Sequence, residues 1–135
     1  MVNMEDTRIY GESPKIYHVE TREYAIDAYR FEDWIIANIK FNYMLKREDS
    51  PELCELIATY IKTHLRRYSR KIIVSGRMPL WFFGALLHEI MHSFSAIAVF
   101  DPKLNGGVVV SSHLRSIRPF DLIELPDDLI AQLMQ

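Results

Sequence analysis

Ile72-Ile73-Val74 is a continuous apolar run that passes straight into Ser75-Gly76-Arg77-Met78-Pro79. A strand buried on both faces reads this way, and such strands sit near the centre of a sheet. Helix signals follow from Pro79 to about Phe94, and a second apolar run, Ala96-Ile97-Ala98-Val99-Phe100, comes directly after. Strand, helix and strand in that order predict a parallel pair joined by a right-handed crossover. The chain therefore belongs to the α/β class.

The flanking segments add to this unit. Residues 15–21 and 24–31 carry Ile16, Val19, Tyr24, Ile26, Ala28 and Tyr29 around Glu20-Thr21-Arg22, which predicts a hairpin. Residues 34–44 alternate, with Ala37, Ile39, Phe41 and Tyr43 on one side and Asn38, Lys40 and Asn42 on the other. That pattern predicts a half-buried strand. After the charged turn Lys46-Arg47-Glu48-Asp49, Ser50 is placed to cap a helix, with Pro51 in its first turn. Leu53, Leu56, Ile57, Tyr60, Ile61 and Leu65 recur at helical spacing and predict a helix over 51–67. Its basic tail, with Arg66, Arg67, Arg70 and Lys71, suits the negative end of a helix dipole. Asp101–Gly107 is a turn, Val108-Val109-Val110 starts another strand, Asp121–Leu125 is a last strand and 127–134 a closing helix. The expectation is a single small α/β domain over 1–135, with a mixed sheet, a central parallel strand-helix-strand unit and an added N-terminal hairpin. Residues 1–28 are an extra segment whose first 12 or so form a loose terminus, and 71–113 are the site-bearing core.

The 135 residues suffice for one domain, and 49% hydrophobic with 25% charged residues is ordinary for a globular chain. A net charge of -2 argues against a general nucleic-acid binder, which must neutralise many phosphates. The single cysteine, Cys54, excludes an intrachain disulfide and reads as a small buried hydrophobe. With no signal peptide and no long apolar run, a cytoplasmic protein without a membrane partner is expected.

Four pieces carry chemistry. Ser75-Gly76-Arg77-Met78-Pro79 joins a buried strand to a helix, where open α/β sheets bind ligands and free N–H groups favour phosphate. Gly76 allows close backbone approach, and Arg77 offers paired hydrogen bonds to phosphate. On the following helix Trp81, Ala85, His88 and His92 share one stripe, while Leu80, Phe83, Leu87, Ile90 and Phe94 supply an apolar face. Histidines at i and i+4 converge on a metal or a proton. His88-Glu89-Ile90-Met91-His92 also matches H-E-x-x-H, the zinc protease pattern, but a third ligand is not evident beyond His113 or Glu124. Asp101-Pro102-Lys103-Leu104 puts a carboxylate at a strand end, and Ser111-Ser112-His113 ends the next strand. His18 and His64 stand alone and read as structural or exposed.

The order of these pieces resembles one family. Val74–Trp81, His88 and His92, Ala98–Leu104 and Val108–His113 look like the small CRISPR-associated (type III) ring nuclease, formerly described as a manganese-dependent RNA deadenylating nuclease. The resemblance implies a small α/β fold distantly like cyclic oligoadenylate sensor domains, a homodimer, and a tetramer that sandwiches the ring-shaped ligand. It implies ligand contacts by Ser75, Gly76, Arg77, Pro79, Trp81, Ser112 and His113. It implies catalytic roles for His88, His92, Asp101 and Lys103, with Asp101 acting beside His92 across a subunit boundary. His88, His92 and His113 would be the metal candidates, for Mn(2+). Met91-His92 stands where the family carries adjacent histidines, and Lys103 where it prefers arginine.

The implied activity is a phosphodiesterase that opens cyclic tetra-adenylate and so ends type III CRISPR antiviral signalling, with short RNA as a further substrate. The alternatives are a sensor or sponge that binds the cyclic oligoadenylate without cutting it, and an H-E-x-x-H zinc metalloprotease.

Overall fold

A computed structural model describes residues 14–135, so the loose terminus expected over the first 12 residues lies outside the described residues. Seven strands form one sheet in the order in which they occur along the chain. β1 (Lys15–Glu20), β2 (Tyr24–Phe31) and β3 (Trp34–Phe41) make an antiparallel meander. β4 (Lys71–Gly76) pairs parallel with β3, and β5 (Ala96–Asp101) pairs parallel with β4. β6 (Gly106–Ser112) and β7 (Leu122–Glu124) return antiparallel. The expected mixed sheet and N-terminal hairpin are present, with two parallel pairs rather than one.

The additional parallel pair explains a difference at β3. Its residues Trp34 to Ile39 are all buried, whereas alternation predicts a half-buried strand. β3 lies inside the sheet and is covered on both faces. Ile35, Ala37 and Ile39 pack under two crossover helices, and Trp34 and Ile36 face the C-terminal helix. Asn38 is a polar residue inside the sheet, not on a solvent face.

The first crossover helix, α1 (Ser50–Tyr60), buries Leu53, Cys54, Ile57 and Ala58. Ser50 is its first residue and not its cap. Arg47–Asp49 form a 3-10 turn that feeds into the helix, and the Ser50 hydroxyl donates back to Lys46 O at 2.6 Å. α1 does not run on to residue 67 as α-helix. Ile61–Leu65 is π-helical, closed by Arg66 N donating to Ile61 O at 3.1 Å. The Thr63 hydroxyl bonds Thr59 O, the carbonyl its own amide would use in an α-helix. Burial pushes the Cys54 thiol pKa up, as suits a small core hydrophobe.

The second crossover helix, α2 (Leu80–Ile90), starts after Pro79 and ends at Ile90 with Met91 as its cap, short of Phe94. The chain must turn there so that Ser95 N can bond Arg70 O at 2.7 Å and open β5. The buried stripe is Phe82, Leu86, Ile90 and Phe94, one position round from the expected Leu80, Phe83 and Leu87. Leu80 is 87% exposed. The basic tail of α1 is tied down at Arg66, whose Nε donates to Ser93 O at 2.7 Å. Lys71 pairs with Asp33 and stands over the Trp34 ring at 5.1 Å.

α3 (Asp127–Leu133) covers part of the opposite face. Leu129 and Leu133 pack with Trp34, Ile36, Ile73, Ala98 and Val109. No helix among the described residues is long and apolar enough to cross a membrane.

Candidate active site

The three parallel strands end side by side, and a cavity of about 490 Å³ opens at their carboxyl ends. Its lining includes Asn38 and Lys40 of β3, Ser75, Gly76 and Arg77 of the turn after β4, and Phe100 of β5. The last residues of α3 and beyond close one side, through Leu133 and Met134. Carboxyl ends of parallel strands are where such sheets take ligands, because the chain leaves the sheet there and uncovers it.

Gly76 is required at this point. Its φ is +146°, and a Cβ would press on the backbone oxygen of Ile39, its register partner on β3. Only a residue without a side chain lets the two strands stay paired up to the turn. The pairing in turn fixes Arg77, exposed at the mouth, and Ser75, 3% exposed in the floor. Ser75 donates its hydroxyl to Asn38 Oδ1 at 3.1 Å. Asn38 is 2% exposed, and its Nδ2 meets no partner.

Pro79 ends the turn as the cap residue of α2, its carbonyl accepting from Phe82 N and Phe83 N at 3.0 Å each. Trp81, in the first turn of α2, lies apart from this cavity. It lines a second hollow of about 380 Å³ between α1 and α2, with Cys54, Glu55 and Glu89.

The histidines gather elsewhere. α2 runs back from the carboxyl end of β4 to the amino end of β5, so His88 and His92 lie at the far end of the sheet from Arg77. His113 joins them there. Its ring Nε2 lies 3.4 Å from Met91 O, and its backbone N bonds Ser95 O at 2.8 Å. Ser112 shapes the same turn, its Oγ accepting from Leu114 N at 3.0 Å. Asp101 and Lys103 stand at the cavity end. Asp101 Oδ1 accepts from Lys103 N at 2.9 Å and so caps the 3-10 turn Pro102–Leu104. β5 has six residues, so roughly 20 Å at about 3.3 Å per residue separates the His92 end from the Asp101 end. The convergence of these residues on one edge, expected from their order, does not occur within one chain.

Among the described residues no group of three or more His, Cys, Asp or Glu side chains could hold a metal ion. Among the described residues His88, His92 and His113 are thus not brought together as a three-ligand group within one chain, and no third ligand among them joins the H-E-x-x-H pair.

Residues outside the motifs also join the picture. His18, read from sequence as solitary, places Nδ1 against Asp27 Oδ1 and Nε2 3.3 Å from Glu20 Oε1. Lys15 Nζ approaches the same Asp27 oxygen at 3.3 Å. The hydrogen bond to Asp27 raises the His18 pKa above its usual range, partly opposed by desolvation. His64 is structural, stacked at 4.5 Å on Tyr60 and 3.4 Å from the Tyr17 hydroxyl.

The family described as CRISPR-associated protein (Cas_csx3) matches residues 52–124, more than half of the chain. The chain belongs to this family. The matched stretch runs from α1 to β7 and carries the Ser75–Pro79 turn, His88 on α2, His92 in the turn beyond it, Asp101 and His113. An uncharacterized protein of Aquifex aeolicus (strain VF5) is 38% identical over 82 residues, 61% of this chain and 73% of that relative. This family membership places the chain among CRISPR-associated proteins. Asn38 and Lys40, which also line the cavity, lie outside the matched stretch.

Proposed function

We propose that the protein is a ring nuclease, a phosphodiesterase that opens cyclic oligoadenylate, with cyclic tetra-adenylate as substrate. The observation that carries this reading is the cavity where three parallel strands end, with Ser75-Gly76-Arg77 at its floor and mouth and Lys40 beside it. Among its lining residues two side chains are cationic and none is acidic, which suits a phosphodiester. Membership of a CRISPR-associated family gives the nucleotide a setting.

In this reading the ring's own 2′-hydroxyl attacks the adjacent phosphorus, and the bond to the 5′-oxygen breaks. The products are a 2′,3′-cyclic phosphate end and a free 5′-hydroxyl. Arg77 and Lys103 stabilise charge on the phosphoryl oxygens, and the fixed cavity holds the hydroxyl in line. His92 moves the proton, oriented by Asp101. Since β5 separates these two residues in one chain, the His92 end of one copy meets the Asp101 end of the next. That contact is head-to-tail, the kind that stacks copies or closes a ring. His88 and His113 stand beside His92 in the same contact. Mn(2+) would need ligands from both copies.

The test is incubation with labelled cyclic tri-, tetra- and hexa-adenylate, with and without Mn(2+), and separation of the products by chromatography. Conversion of the tetra-adenylate ring to linear products is expected. Tight binding of an unchanged ring would instead establish a sensor or sponge, and no binding would reject the nucleotide reading.

A further inference from the structure

Four polar residues stand in register across four adjacent strands. His18 of β1 pairs with Asp27 of β2, Asp27 with Asn38 of β3, and Asn38 with Ser75 of β4. Side chains at register partners share a sheet face, and this face is the one that α3 partly covers. Asp27, Asn38 and Ser75 are 5%, 2% and 3% exposed. The row begins at the half-exposed His18 and ends in the floor of the cavity.

The row fixes which way its hydrogens point. Lys15 and His18 both approach Asp27 Oδ1. An amide has two ends: Asn38 turns Oδ1 toward Ser75, which leaves Nδ2, without a hydrogen-bond partner of its own, as the end on the side of its register partner Asp27. The reverse orientation would set the amide oxygen toward the Asp27 carboxylate, acceptor against acceptor, in a region of low dielectric. Asp27 makes no hydrogen bond to Nδ2, and its charge, acting from the adjacent strand, favours the amide as found. With Oδ1 facing it, Ser75 commits its one hydrogen to Asn38 and keeps only lone pairs for the cavity.

We propose that Ser75 Oγ is a pure acceptor that binds a hydroxyl of the ligand's sugar, and that Asn38 and Asp27 are positioning residues that set this polarity. A phosphate oxygen has no hydrogen to offer such an acceptor, whereas a ribose 2′-hydroxyl does. The ligand class is then a ribonucleotide in preference to a 2′-deoxyribonucleotide. This rests on the nucleotide reading of the cavity but not on ring cleavage.

The experiment measures affinity by calorimetry for cyclic tetra-adenylate and for its all-2′-deoxy counterpart, which cannot react. The wild type is expected to prefer the ribo ring by about tenfold or more, the worth of a hydrogen bond and of a buried acceptor left unpaired. In Ser75→Ala and Asn38→Leu the preference collapses to near unity. Asp27→Asn, remote from the ligand, lowers the preference part of the way, which a merely structural Asp27 would not do. Circular dichroism confirms that each variant is folded. An undiminished preference in Ser75→Ala or Asn38→Leu overturns the proposal and leaves the ring reading intact. If neither ring binds, the ring reading fails and the same comparison with AMP and 2′-deoxy-AMP decides the role of Ser75. Equal binding, or no binding, of those two overturns it.

Discussion

His92 and Asp101 flank β5, one four residues before its first residue and the other at its last, so a whole strand length lies between them. Sequence order brings them within ten positions, yet the fold holds them at opposite ends of the sheet. Any chemistry that uses both must draw them from two copies of the chain. The consequences of this arrangement, and of the row that ends at Ser75, are open to direct measurement.

Gly76 joins β4 to the turn at a φ of +146°, with Ile39 O against the place a Cβ would occupy. Gly76→Ala must move either the backbone of β3 or the turn itself. A loss of about 1–3 kcal/mol in denaturant unfolding is expected from backbone strain alone. Binding in the cavity should fall with it, because Ser75 and Arg77 are set by the same pairing.

Arg77 is exposed at the cavity mouth, and among the described residues no hydrogen bond or ion pair ties it to another side chain. Arg77→Ala should leave the melting temperature nearly unchanged and weaken cyclic tetra-adenylate binding by about tenfold or more, the worth of a charge-assisted contact. Arg77→Lys should restore only part of it, because an ammonium lacks the planar fork. Titration calorimetry on the three proteins checks the order.

His18 gives the hairpin a pH dependence. Its folded pKa is raised above 6.5, chiefly by the hydrogen bond to Asp27, so the folded state binds the proton more tightly than the unfolded state. The stabilisation is fully present below 6.5 and is lost as pH rises through the raised value. The facing groups are Lys15, Glu20 and Asp27. His18→Gln should flatten that fall in melting temperature above 6.5, and a wild type that gains stability on crossing this range would contradict the assignment.

Much of the fold is legible in the sequence because it is written locally. Ile72–Val74, Ala96–Phe100 and the motif between them specify a parallel unit without reference to the rest of the chain. Three features are not local. Asn38 alternates with Ile39 and Phe41 just as a solvent-facing residue would, and only the strands on either side show it to be buried. Its partners, Asp27 and Ser75, are 11 and 37 positions away, beyond the reach of any periodicity. The apolar pattern overstates the length of α2, because Met91 and Phe94 continue it after the backbone has begun to turn. The separation of His92 from Asp101 follows from a rule that motif order hides: a crossover helix runs against its strands and returns its last turn to their amino ends.

The head-to-tail site makes the central claim testable by mixing. His92→Ala and Asp101→Ala should each leave labelled cyclic tetra-adenylate intact. An equimolar mixture should cut it, because roughly a quarter of random head-to-tail contacts join an intact His92 to an intact Asp101. A mixture as inactive as its components would contradict the two-copy site, and full activity in either variant alone would remove that residue from the chemistry.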